Sequence, residues 1–134
     1  MNEIYDPLRR KNVRRTPEEE VRQAAIRYLE ESVGVPRQLM VSEYSFTFNG
    51  LQYRADVLVY DRSLHPLLLV ECKAPSVRLD DAILEQVLRY NRVLQVRYIL
   101  LTNGKTSYFC KWDAETGSYR FQESIPSYEQ MLEQ

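Results

Sequence analysis

Cysteine, histidine, glycine and proline are all scarce in this chain, and each scarcity removes a class of protein. There are two cysteines and one histidine. Cys72 and Cys110 lie in separate apolar, strand-like runs with no C-x-x-C pair and no partner histidine. Neither a zinc site nor a disulfide framework is supported, and both read as buried free thiols. Four glycines and six prolines in 134 residues are too few for a disordered chain. No apolar run approaches a membrane span, and the charged N-terminus lacks the apolar core of a signal peptide. A cytoplasmic protein without a membrane partner is therefore expected. A surplus of charge is missing as well: 18 basic residues stand against 19 acidic ones, a net charge of −1. A nucleic-acid partner would have to be met by local clusters of charge rather than by the overall field. The length predicts one domain, large enough for a real core and too small for a second domain or an ATP-driven motor.

What the chain does have is concentrated between Arg54 and Pro75. Ala55 to Tyr60 and Leu67 to Lys73 are rich in valine and leucine, and Asp61-Arg62-Ser63-Leu64-His65-Pro66 between them carries turn formers. An antiparallel hairpin closed by those six residues pairs Tyr60 with Leu67, Val59 with Leu68, Leu58 with Leu69 and Val57 with Val70. It sets Asp56 opposite Glu71. Opposed residues share a face, and alternation sends Lys73 to the side of Glu71 and Cys72 to the other side. Two facing carboxylates repel, and a bound cation, a shared proton or salt bridges relieve them. A hard ion such as Mg²⁺ is held by one or two carboxylates with several waters, and an adjacent ammonium can orient or deprotonate one of those waters. The trio thus suits metal-dependent phosphodiester hydrolysis. The plain alternative is a solvated salt-bridge cluster at a sheet edge. The apolar strand, the register with Asp56 and the stop at Ala74-Pro75 favour chemistry.

Upstream, Arg9, Arg10, Lys11, Arg14 and Arg15 put five cations in seven positions. They predict an exposed basic arm over residues 1–15, ahead of a single domain over 16–134. The arm is either a solvated tail or a phosphate contact whose binding weakens steeply with salt. Thr16-Pro17-Glu18-Glu19 starts a helix, with Thr16 as N-cap, Pro17 at the first helical position and Glu19 completing a capping box. The helix is expected to run to Val33 and to stop at Gly34 and Pro36. Val21, Ala25, Tyr28 and Leu29 form its apolar face, with Glu18 along the same side. Glu18 reads either as an extra carboxylate facing the site or as an acid favoured by the helix dipole.

Met40 to Phe48 alternates as a strand into Asn49-Gly50, a hairpin signal. Pairing Phe48 with Leu51 carries Glu43 opposite Asp56, either as a further acid near the site or as a surface glutamate. Asp80 or Asp81 caps a second helix running to Leu94, with Ile83, Val87, Tyr90 and Leu94 as its stripe and Gln86 and Tyr90 on one flank. Val96 to Thr102 reads as a strand buried on both faces, turned by Asn103-Gly104 into Thr106 to Trp112. A short strand over Tyr119 to Gln122 and a helix from Ser127 complete the chain. This order is an α/β (α+β) domain with an αβββαβ core, a mixed central sheet flanked by helices.

An aspartate opening the second strand and E-x-K in the third resemble the restriction-endonuclease-like PD-(D/E)XK nuclease superfamily. Arg54-Ala55-Asp56-Val57-Leu58-Val59-Tyr60, Val70-Glu71-Cys72-Lys73-Ala74-Pro75, Gln86 with Tyr90-Asn91, and Thr102-Asn103-Gly104 resemble more closely the N-terminal nuclease domain of type I restriction enzyme R subunits. So does Thr16-Pro17-Glu18-Glu19 followed by Val21-Arg22-Gln23. The resemblance implies DNA cleavage dependent on Mg²⁺ or Mn²⁺. By its pattern Asp56 and Glu71 are metal ligands, the Cys72 carbonyl is a further ligand, and Lys73 positions or activates the attacking water. Gln86 and Tyr90 match the Q-x-x-x-Y motif that orients DNA or the site, and Glu18 matches the acid some members supply from the first helix. Ala55 replaces the proline of the superfamily name, which touches no metal. Without the R subunit's ATP-driven motor, the domain would meet DNA by itself, through a partner protein or as a homodimer.

Two other classes compete with an enzyme. A non-catalytic module could bind nucleic acid or a partner on the same fold, although the intact Asp56, Glu71 and Lys73 argue for catalysis. An assembly protein could dimerise through an exposed edge strand.

Overall fold

The computed structural model describes residues 2–134, except for the side chains at 90–92. The chain opens with two short strands, β1 (Glu3–Asp6) and β2 (Lys11–Arg14), paired antiparallel with Ile4 opposite Val13 and Asp6 opposite Lys11. The basic stretch expected as an exposed arm takes the form of a hairpin, on which Arg10, Lys11, Arg14 and Arg15 are exposed. Its turn is closed by the buried Asp6, which accepts the Leu8 N–H at 2.9 Å and also binds the Arg9 guanidinium.

Helix α1 (Pro17–Tyr28) follows, and the Thr16 hydroxyl accepts the Glu19 N–H at 3.0 Å, as an N-cap should. The coil then widens to π geometry over Leu29–Val33 before Gly34, at φ 86°, ends it in the left-handed region. Two expectations need correcting here. The Glu19 side chain does not close a capping box, because its oxygens accept from Arg9 and Gln23, each at 2.9 Å. Tyr28 is exposed, and Ile26 is fully buried in its stead. The buried stripe runs Arg22, Ala25, Ile26, Leu29, an i, i+3, i+4, i+7 pattern headed by a charged residue.

Six strands make the sheet, in the order β3 (Met40–Phe48), β4 (Leu51–Tyr60), β5 (Pro66–Cys72), β6 (Tyr98–Thr102), β7 (Ser107–Asp113) and β8 (Ser118–Phe121). All neighbours are antiparallel except β5 and β6. That parallel pair requires a crossover, and helix α2 (Asp81–Leu94), whose start is capped by Asp80 accepting the Ile83 N–H at 3.0 Å, provides it. A last helix, α3 (Tyr128–Glu133), begins at a Ser127–Gln130 capping box.

The register of β3 with β4 is the expected one, Phe48 with Leu51 and Tyr44 with Ala55. Between β4 and β5 the pairs Val57–Val70, Leu58–Leu69 and Val59–Leu68 also match. A bulge, however, sets Tyr60 against Pro66 rather than Leu67. α1, the π turn after it and α3 cover one face with Ile26, Leu29, Tyr128 and Met131 over Val57, Val59, Val70 and Leu100. α2 covers the other with Leu84 and Val87 over Leu58, Leu69, Ile99 and Leu101. β6 is buried on both faces, as its unbroken apolar run predicted. Among the described residues no helix is long and apolar enough to cross a membrane.

Candidate active site

The paired ladder of β4 and β5 stops at Val57–Val70. One residue further along β4, the Asp56 side chain enters the gap and its Oδ2 accepts the Cys72 N–H at 2.7 Å. A carboxylate stands where the backbone ladder would have continued. Asp56 and Glu71 therefore do not meet as a regular cross-strand pair. They meet because the strands part, and the charge on Asp56 acts directly on the Glu71 carboxyl. The Lys73 Nζ is 3.7 Å from Glu71 Oε1. Cys72 is buried among the α1-face residues, and an extended residue sends its N–H and C=O to the same edge. Its carbonyl thus leaves β5 on the side where Asp56 sits.

The electrostatics of the pair are unfavourable as they stand. Burial first, then the Asp56 charge, pushes the Glu71 carboxyl up to about 8, and Lys73 opposes this only in part. Burial, followed by the charges of Asp56 and Glu71, also pushes the Cys72 thiol well above its ordinary range. The sulfur stays protonated and is a poor metal ligand.

Arg22, one residue of the Val21-Arg22-Gln23 segment, is central to the site. Arg22 is 5% exposed, and its Nη2 donates to Asp56 Oδ1 at 2.8 Å. The same guanidinium lies 3.1 Å from Glu43, 3.3 Å from Glu19 and 3.7 Å from Glu18. Its signal in the sequence was its place on the α1 stripe, three residues before Ala25 and seven before Leu29. Glu43 joins the cluster by an unusual backbone: it has φ 56° in the middle of β3, a conformation a non-glycine residue holds only when its surroundings insist. Arg9, Arg22 and Arg54 all bind its carboxylate. Burial raises the Glu43 carboxyl, but the three guanidiniums outweigh it and hold the group below its ordinary value.

The structure thus brings Asp56, Glu71, Lys73 and the Cys72 backbone together, with Glu18 half-exposed at the rim. Arg9 binds Asp6, Glu19 and Glu43, whereas Arg10, Lys11, Arg14 and Arg15 remain on the surface. Gln86 lines a separate depression with Phe48, Tyr53, Glu85 and Arg89. The side chain of Tyr90 lies outside the described residues. Among the described residues no group of three or more acidic, thiol or imidazole side chains is arranged to hold a metal ion. A depression of about 780 Å³, lined by His65, Arg97, Trp112 and Tyr119, opens at the start of β5, the opposite end from Glu71.

The family model for the type I restriction enzyme R protein N terminus matches residues 17–126, a span that takes in α1 through β8 and every acid of the site except Asp6. Among solved structures, a fragment assigned as an HsdR subunit of a type I restriction enzyme from Vibrio vulnificus YJ016 aligns with a TM-score of 0.52 at 20% identity. The alignment covers 87% of this chain and 22% of that one. At this identity the likeness speaks for the fold. Comparison with curated proteins gave no match. By the extent of the family match, the chain belongs to the family of type I restriction enzyme R protein N termini.

Proposed function

We propose that the chain is a metal-dependent nuclease that hydrolyses DNA phosphodiester bonds in the cytoplasm, with Mg²⁺ or Mn²⁺ at Asp56, Glu71 and the Cys72 carbonyl. The observation that carries this reading is the meeting of Asp56, Glu71 and Lys73 where β4 and β5 part, with Asp56 held by the Cys72 N–H at 2.7 Å and Lys73 3.7 Å from Glu71; the two carboxyls repel, and a divalent cation relieves that repulsion. The donor set fits a hard ion, since two carboxylates and a carbonyl leave room for the waters Mg²⁺ retains. Bound there, such an ion would neutralise a phosphate oxygen and acidify a water. The Lys73 side chain, 33% exposed and 3.7 Å from Glu71, is placed to orient that water. Its ammonium also puts positive charge where the transition state gathers negative charge. Glu18 would serve as an outer carboxylate at the rim.

The nuclease unit in this reading is residues 16–134, with residues 1–15 as its basic appendage. Arg10, Lys11, Arg14 and Arg15 would meet backbone phosphates, and Gln86 and Tyr90 would orient the DNA. Arg9 would contribute only by giving up its ion pairs, and Arg15 only by giving up its surface pair with Glu20. Engagement of DNA would come from this chain, from a partner protein or from a second copy.

One observation favours a non-cutting nucleic-acid or partner-binding module: both Asp56 oxygens already have donors, from Arg22 and the Cys72 N–H. Incubation with supercoiled, linear and branched DNA plus Mn²⁺ separates the two. The nuclease reading expects cutting that falls at least about 100-fold in Lys73→Ala while DNA affinity stays nearly unchanged. Cutting that survives in that variant contradicts the role of Lys73, and no cutting of any substrate favours the binding module.

A further inference from the structure

We propose that Arg22 is the counter-ion that holds Asp56 in place before a divalent ion arrives and then competes with that ion for Asp56 Oδ1, so that Arg22 sets the metal affinity of the site. The proposal rests on the nuclease reading and concerns a residue acting through Asp56, a positioning residue rather than a catalytic one.

Two donors hold Asp56, and they differ in what they can do. The Cys72 N–H, at 2.7 Å from Oδ2, belongs to the backbone at the end of β5 and has no freedom to turn away. The guanidinium of Arg22, at 2.8 Å from Oδ1, has three further acceptors within reach. Glu43 is at 3.1 Å, Glu19 at 3.3 Å and Glu18 at 3.7 Å. Its buried Nε has no partner, so a shift toward those acids can add a hydrogen bond as the one to Asp56 is lost. Arg22 is therefore the donor that can yield. Lysine could not play both parts, because a single ammonium lacks the planar fork that spans several carboxylates.

The charge balance runs the same way. Among the described residues, Asp6, Glu18, Glu19, Glu43 and Asp56 are joined through ion pairs to Arg9, Arg22 and Arg54, and Glu71, beside Asp56, pairs with Lys73. Six carboxyl groups face four cations, so once Glu71 gives up its proton to an arriving ion the cluster is two positive charges short, which is one divalent ion. Without that ion, Arg22 keeps Asp56 from standing as an uncompensated buried charge. With it, a guanidinium on the same carboxylate repels the incoming cation.

The test is a calorimetric Mn²⁺ titration of the full chain without DNA, on the wild type, Arg22→Met, Arg22→Lys and Asp56→Asn, alongside thermal unfolding with and without Mn²⁺. Arg22→Met is expected to melt lower without metal, to bind Mn²⁺ about tenfold more tightly, and to gain more in Tm on adding it. Arg22→Lys is expected to shift affinity the same way by about threefold, and it decides the matter if the methionine variant does not fold. A residue that merely braces the fold would leave affinity unchanged or weaken it. Either result in a folded variant, with the wild type binding Mn²⁺ and Asp56→Asn not, overturns the role of Arg22 and leaves the nuclease reading standing. No Mn²⁺ binding by any of the four proteins, or binding that persists in Asp56→Asn, overturns both.

Discussion

Glu71 sits in a position that suits it poorly without a cation. Its carboxyl is driven up by burial and by Asp56, so in the folded chain it stays protonated from its ordinary 4.5 to about 8, while in the unfolded chain it has already ionised. The folded state binds more protons over that window, and stability must fall as pH rises through it. Glu71→Gln removes the titration and keeps the shape. In metal-free buffer its Tm is expected to exceed that of the wild type at pH 8 and to match it near pH 4. An equal difference at both pH values would show that Glu71 does not carry this burden. Asp56 is less forgiving. Its removal by Asp56→Ala would leave the buried Cys72 N–H without its acceptor, at a cost of about 1–3 kcal/mol, so loss of activity in that variant would confound chemistry with folding. Asp56→Asn is the cleaner substitution.

At the scale of elements, what could be read in advance followed from local rules. Period-two alternation, the Asn49-Gly50 turn and the apolar run of β6 are each decided by near neighbours, and the structure keeps them. Asp56, Glu71 and Lys73 stood out because charges interrupt otherwise apolar strands. What escaped was set at long range. The β1–β2 hairpin buries little apolar surface and has no sequence pattern of its own. It is fixed by Arg9, whose guanidinium finds Asp6, Glu19 and Glu43 on three different elements. Arg22 escaped for the same reason, since its partner Asp56 lies 34 positions away, and the positive φ of Glu43 answers to those guanidiniums. Arg9→Ala leaves the buried Asp6 with only backbone donors. It is expected to cost about 2 kcal/mol and to speed amide hydrogen exchange over residues 3–14 while leaving β6 protected. Unchanged exchange in the hairpin would mean that Arg9 does not dock it.

For the molecule as a whole, the sheet is closed on both faces and carries its chemistry at one end, where β4 and β5 part. The charges gathered there make the fold sensitive to acid. Burial raises the Asp6 and Glu43 carboxyls, but Arg9, joined at Glu43 by Arg54 and Arg22, outweighs it and holds both below their ordinary values. Groups depressed in this way stabilise the fold above their unfolded pKa and lose that contribution as pH falls through the folded one. Together with the opposite slope from Glu71, the metal-free protein is expected to show a Tm maximum near pH 5, falling on both sides. A Tm that rises continuously from pH 5 to pH 8 would contradict this balance.

The central claim is that the parted ends of β4 and β5 form one divalent-metal site. Its most direct test is the anomalous difference map of a crystal of the chain soaked in Mn²⁺. The account predicts a single strong peak bounded by the Asp56 and Glu71 carboxylates and the Cys72 carbonyl, with Arg22 turned toward Glu43 and Glu19. No peak there at millimolar Mn²⁺, or a peak bound only by other residues, would contradict it.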